Sequence, residues 1–215
     1  MSLFPDLAET LPDGVHLWPR RLSHSAQMAL LDDIARTLEA APPYRPQMRT
    51  GAYVINRMSN CGPLGWISDT RGYRYEPLHP ETGRAWPPIP VELARIGADC
   101  ARESGFADYA ADACLINIYE ACGKLNLHRD YDEADFRWPV VSFSLGADAE
   151  FLLGGFKRTD PAQRLILHSG DVLVFGGPSR LRYHGVRKIF PGTSPIDHPA
   201  LPLGGRINLT LRRAR

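Results

Sequence analysis

The chain has 215 residues, of which 44% are hydrophobic and 23% charged, enough apolar material to bury one full core without staples. That balance excludes a disordered segment, a collagen-like repeat and a coiled coil. A formal net charge of +1 excludes a strongly basic nucleic-acid binder, although an acidic stretch (99–149) lies between two basic ones (41–90 and 150–215).

No run approaches the roughly 18 apolar residues of a membrane span. The N-terminal MSLFPDLAETLPDG carries acids and no basic residue, so no secretory signal is expected and the chain reads as one cytoplasmic domain. Cys61, Cys100, Cys114 and Cys122 are scattered without a C-x-x-C pair, which predicts reduced thiols rather than a zinc site or disulfides.

In chain order, Ser25 is placed to cap a helix with Leu30, Leu31, Ile34 and Leu38 on one face, ended by Pro42 and Pro43. Residues 42–90 are rich in Pro, Gly, Arg and aromatics, with a short candidate strand at 53–58. Pro90 opens a second helix, where Leu93, Ile96 and Cys100 recur at helical spacing and Gly105 supplies a stop. From residue 113 the period changes to two: 114–119, 140–145, 151–153, 165–167, 172–175, 181–186 and 206–212 read as short strands. Strands without intervening helices predict a mainly β fold with flanking helices (α+β), a sandwich or barrel.

Two of these strands carry a polar face. In 206–212, Arg206, Asn208, Thr210 and Arg212 lie opposite Ile207, Leu209 and Leu211; in 114–119, Leu115, Asn117 and Tyr119 lie opposite Cys114, Ile116 and Ile118. Turned into one barrel, they line a pocket in which two arginines need anionic partners, and a dicarboxylate would satisfy both.

His128-Arg129-Asp130 puts an imidazole and a carboxylate two residues apart, on one side of an extended segment. Alone this triplet is a weak signal. His184, 56 residues on and beside Gly185, adds a third ligand. Two histidines and one aspartate leave coordination positions open, which suits non-haem Fe(II) and O2; zinc, the competing metal, is not selected by a set without cysteine. Arg206 and Arg212 follow His184 by 22 and 28 residues. H-x-D, a distant His and a downstream strand Arg form the logic of a 2-oxoglutarate-dependent oxygenase, whose cosubstrate chelates iron at one end and needs a fixed cation at the other.

At these residues the sequence resembles the AlkB family of nucleic-acid demethylases, bacterial type. The matching runs are NCGPLGW (60–66), DACLINIY (112–119), GKLNLHRDYDE (123–133), VSFSLG (141–146), GGFKRTDP (154–161), SRLRYHG (179–185) and RINLTLR (206–212). The resemblance implies a double-stranded β-helix (jelly roll) core over 91–215 with its helix, an N-terminal extension and helix over 1–41, and a nucleotide-recognition lid over 42–90. It implies His128, Asp130 and His184 as iron ligands, and Asn117, Tyr119, Arg206, Asn208 and Arg212 around 2-oxoglutarate. Trp66, Tyr73, Tyr75, Asp132, Glu133 and Arg158 become candidate substrate contacts, with Lys124 and Lys157 as further phosphate contacts. Asp132 would favour the positive charge of 1-methyladenine or 3-methylcytosine over the unmodified base. Arg129 and Tyr131, beside the metal motif, depart from the bacterial pattern.

The implied reaction is oxidative demethylation of N-alkylated bases in DNA or RNA with Fe(II), 2-oxoglutarate and O2, releasing formaldehyde, as direct repair of alkylation damage. Single-stranded DNA is the preferred partner, since an unpaired base is cheaper to flip than one in a duplex. The chain is expected to act as a monomer. Two rival readings are an oxygenase of proteins or small molecules and a non-catalytic module on the same scaffold.

Overall fold

A computed structural model describes residues 10–215. In chain order it contains β1 (Val15–Trp18), α1 (His24–Ala40), β2 (Arg57–Cys61), β3 (Gly65–Asp69), β4 (Gly72–Glu76) and α2 (Val91–Glu103). The strands β5 (Ala113–Tyr119), β6 (Leu125–His128), β7 (Val140–Gly146), β8 (Asp148–Leu153), β9 (Gln163–Leu167), β10 (Val172–Phe175), β11 (His184–Phe190) and β12 (Arg206–Arg212) follow. A six-stranded major sheet, β1-β10-β7-β12-β5-β2, faces a four-stranded minor sheet, β6-β11-β8-β9, in a jelly roll; β3 and β4 form a separate hairpin.

Alternation along β5 and β12 decides the layering. Cys114, Ile116 and Ile118, with Ile207, Leu209 and Leu211, pack outward against Leu30, Leu31 and Ile34 of α1 and Leu93 and Cys100 of α2. The opposite faces look across to the minor sheet, where Tyr119 joins a second apolar cluster with Phe151, Leu153, Phe175 and Val186. The helices thus cover one side of the major sheet and leave its other side for a pocket.

Several boundaries differ from the sequence reading. Ser23 rather than Ser25 caps α1, since its backbone is extended (φ −63, ψ 165) and its Oγ accepts from the Ala26 N–H at 3.2 Å. α2 follows Pro90 and ends at Ser104, with Gly105 at φ 94 as its left-handed stop, as read. The strand expected over 181–186 begins only at His184, because a 3-10 turn at Gly177–Ser179 carries the chain into it. The strand expected at 53–58 lies at Arg57–Cys61, where it pairs with β5 at the edge of the major sheet; Tyr53 instead bridges Gln47 locally. Segment 42–90 is therefore divided, one strand in the core sheet and a hairpin outside it. All four cysteines are free. Among the described residues no helix is long and apolar enough to cross a membrane.

Candidate active site

His128 ends β6 and His184 begins β11, and the antiparallel register sets them directly opposite each other. Their rings lie 4.5 Å apart between centroids. The close approach of the two strands depends on Gly185, where a Cβ would stand 2.5 Å from the Leu125 carbonyl oxygen. Asp130 follows in the loop after β6, with one carboxylate oxygen 3.7 Å from His128 Nε2 and the other 3.7 Å from His184 Nε2. One ligand atom from each of the three residues lies within 4.8 Å of the others.

Backbone carbonyls select the tautomers. His128 Nδ1 lies 2.9 Å from the Asn126 oxygen and His184 Nδ1 lies 3.1 Å from the Arg182 oxygen. A carbonyl only accepts, so each Nδ1 carries the proton and each Nε2 keeps its lone pair for a metal. Burial, reinforced by the neighbouring His128, pushes the His184 pKa down to about 4, so the imidazole is neutral at pH 7. Burial opposes ionisation of Asp130, but Arg212 and the two histidines outweigh it and hold the carboxyl well below the usual carboxylate range. Two imidazoles and one carboxylate are the donor set that suits Fe(II) with open positions.

Behind Asp130 lies a buried network. Arg212 Nη2 donates to Asp130 Oδ2 at 2.7 Å, and Arg212 Nε lies 3.4 Å from Glu133 Oε1. Glu133 Oε1 accepts from the Tyr75 hydroxyl at 2.6 Å, while Glu133 Oε2 pairs with Arg180 Nη2 at 2.9 Å. Arg180 also donates through Nη1 to the Asp130 carbonyl at 2.8 Å. Two acids and two arginines balance one another, the condition for burying charge at tolerable cost. Arg212, expected beside 2-oxoglutarate, thus has internal carboxylate partners as well as a place in the pocket wall with Arg206. Glu133 and Tyr75, expected at the substrate, lie inside this network. Arg180 was missed; it sits in the SRLRYHG run, in a loop with no periodic pattern to mark it.

Arg206 differs. It is 1% exposed and donates through Nη2 to Ser144 Oγ at 2.7 Å, yet no carboxylate pairs with it and its Nε has no partner among the described residues. Burial lowers its pKa to about 10, so it stays charged. The pocket it faces is also lined by Asn117, Tyr119, Asn208 and Arg212 from the major sheet and by His128 and His184. Arg206 pairs with Tyr119 and Asn208 with Asn117 across β12 and β5, as the shared polar face required. Asn117 Oδ1 is a second buried atom without a partner. A buried guanidinium without a carboxylate partner among the described residues fits a carboxylate such as the far end of 2-oxoglutarate.

The hairpin brings aromatics to the same side as the metal loop. Trp66 Nε1 donates to Asp132 Oδ2 at 2.9 Å, and Trp66 stacks on the exposed Tyr73 at 5.5 Å. Asn60, missed in the sequence, grips Trp66 by donating to its carbonyl and accepting from its N–H, each at 3.0 Å. Gly65 leaves room for Trp86, which a Cβ would meet at 2.4 Å; NCGPLGW is thus a mount for Trp66. Burial raises the Asp132 pKa against the lowering effect of the Trp66 bond. Arg158 is exposed and donates to the Leu127 carbonyl at 2.6 Å, and Lys124 and Lys157 are exposed. Arg71 and Arg74 pair with Asp69 at 3.0 and 2.8 Å, so part of the arginine-rich segment is neutralised within the hairpin.

Comparison with known proteins agrees with this geometry. Residues 14–212 match the 2OG-Fe(II) oxygenase superfamily. The chain is 46% identical to the "Alpha-ketoglutarate-dependent dioxygenase AlkB homolog" of Caulobacter vibrioides, covering 96% of this chain and 90% of that one. It is 37% identical to "DNA N(6)-methyladenine demethylase ALKBH1C" of Arabidopsis thaliana, over 93% of this chain and 48% of that longer protein. The solved structure of OsALKBH1 superposes with a TM-score of 0.83 at 34% identity, covering 95% of this chain and 99% of that one. The chain belongs to the AlkB family of the 2OG-Fe(II) oxygenase superfamily, whose enzymes use Fe(II), 2-oxoglutarate and O2.

Proposed function

We propose that the enzyme removes methyl groups from N-alkylated nucleobases, 1-methyladenine and 3-methylcytosine, in single-stranded nucleic acid as direct repair of alkylation damage. His128, Asp130 and His184 hold Fe(II), and Arg206 takes the far carboxylate of 2-oxoglutarate between Asn117, Tyr119 and Asn208. When bound, the metal with 2-oxoglutarate and O2 hydroxylates the methyl carbon, with succinate and carbon dioxide as coproducts. The N–CH2OH bond then breaks, releasing formaldehyde and the hydroxyl proton and leaving its electron pair on the ring nitrogen, which is unalkylated again. Asp132 stands beside the metal loop and favours a cationic base, while Trp66 and Tyr73 offer a stacking surface to a base turned out of its strand. The hairpin serves as the lid that keeps the oxidant facing only that base. The soluble enzyme works in the cytoplasm as a monomer.

The observation that carries this reading is Asp132. It is a half-buried carboxylate with no basic side chain bonded to it among the described residues, held by the Trp66 indole at 2.9 Å and two residues beyond Asp130. The names of the AlkB and ALKBH1 relatives support it. The test is mass spectrometry of a single-stranded oligonucleotide with one 1-methyladenine, incubated with Fe(II), ascorbate and 2-oxoglutarate in air. Loss of one methylene mass with the wild type and none with His128→Ala is the expected result. Succinate formation without that loss would move the substrate elsewhere.

A further inference from the structure

The loop that carries Asp130 lies outside any strand, so something other than the sheet ladder must hold it against β11. Its carboxylate and carbonyl are gripped from inside by Arg212 and Arg180. On the outer side stands Arg129, the residue between the two ligands of H-x-D. Because His128 and Asp130 turn inward, Arg129 and Tyr131 turn out. The Arg129 guanidinium lies 5.5 Å from the Tyr131 ring centroid and 5.6 Å from that of Tyr183. Tyr183 immediately precedes His184. It is anchored through its backbone, accepting from the Gly154 N–H at 2.7 Å and donating to the Gly155 carbonyl at 2.9 Å. Arg129 makes no hydrogen bond or ion pair among the described residues, so these two ring contacts account for its placement.

We infer that Arg129 is a positioning residue for the metal site, its guanidinium tying the H-x-D loop to the segment that presents His184 through the faces of Tyr131 and Tyr183. The three residues of this contact are the chain neighbours of the three ligands, so a shift in the contact is a shift in the ligand set. A planar cation suits the role: it stacks on aromatic faces, is weakly hydrated and stays charged, where an ammonium would seek water. The inference rests on the metal ligands and not on the nucleic-acid substrate.

Electrostatics alone predicts the opposite sign for a substitution here, which makes the inference decidable. A positive charge beside a cation site weakens metal binding, so removing it should tighten the site; removing a tether should loosen it. The test is a Co(II) titration of metal-free protein, read by its electronic absorption bands, for wild type, Arg129→Ala, Arg129→Lys, Tyr183→Leu and the Ala/Leu double variant. Thermal melting of each serves as the folding control. Because Arg129 is exposed, melting should stay close to wild type. Co(II) affinity should fall about tenfold in Arg129→Ala, as for other partners that orient metal ligands. It should fall similarly in Tyr183→Leu, should not recover with Lys, and should fall no further in the double variant. Unchanged or tighter binding in Arg129→Ala, full recovery with Lys, or additive losses in the double variant would overturn it.

Discussion

Arg206 and Arg212 share one face of one strand, yet their surroundings oppose each other. Arg212 sits among Asp130, Glu133 and Tyr75, whereas Arg206 meets a hydroxyl and two carbonyls. Arg212→Met should therefore destabilise the metal-free protein by about 3–5 kcal/mol, since it strands buried carboxylates. Arg206→Met should leave its stability within about 1 kcal/mol, because it removes a buried charge that has no counter-ion among the described residues. The KM for 2-oxoglutarate should nevertheless rise about ten- to hundredfold in Arg206→Met, the worth of a charge-assisted contact. Urea unfolding and succinate kinetics check the pair. His184 adds a pH dependence. Its pKa falls from 6.5 to about 4 on folding, so between those values the unfolded chain takes up a proton that the folded chain refuses. Metal-free stability is then complete above pH 6.5 and declines as pH falls toward 4, by about 3 kcal/mol across the window. Urea midpoints at pH 7 and 5 should show a flatter acid slope in His184→Asn.

At the scale of elements, the contact between β6 and β11 carries most of the metal chemistry. β6 has four residues and its register with β11 shifts between His184 and Val186, so the ladder alone holds it weakly. Gly185 lets the β6 backbone come close, and a Cβ there would also meet the Asn126 carbonyl carbon and oxygen at 3.1 Å. Because the obstruction is backbone, a side-chain shift offers no relief. Gly185→Ala should cost about 1–3 kcal/mol of stability and move His128 away from His184. A lowered melting midpoint together with weakened Co(II) binding would check both effects. The short β6 escaped the sequence reading because its LNLH run has only two apolar residues and buries none of its side chains, unlike the equally short VLVF of β10. β12, seven residues with strict alternation, was read to its ends. Arg180 reaches Asp130 from 50 positions away and Asn60 holds Trp66 from six positions away, and no strand or helix period marks such partners.

For the whole molecule, the iron ligands come from the minor sheet and its loop, whereas the groups expected to hold the far end of 2-oxoglutarate come from the major sheet. Metal and cosubstrate together therefore bridge the two sheets across the pocket. Each at about 100 times its dissociation constant adds about 2.7 kcal/mol, which for a chain of this size raises the melting midpoint by about 5–10 °C. Metal alone should give the first step and 2-oxoglutarate a second, and Arg206→Met should abolish the second while keeping the first. Thermal melting with Mn(II), then with Mn(II) and 2-oxoglutarate, separates the steps.

The alternation of β5 and β12, the helical faces of α1 and α2 and the spacing of His128, Asp130 and His184 were all determined by the sequence alone. Each is a local pattern of two, three or four residues, or a choice of ligand type that chemistry restricts. Which arginine stays unpaired, why Glu133 and Tyr75 turn inward, and how Arg129 reaches Tyr183 were decided only by the tertiary structure. Charge compensation and stacking depend on neighbours that strand register and loop closure bring together from 50 or more positions away, and no window along the chain contains them.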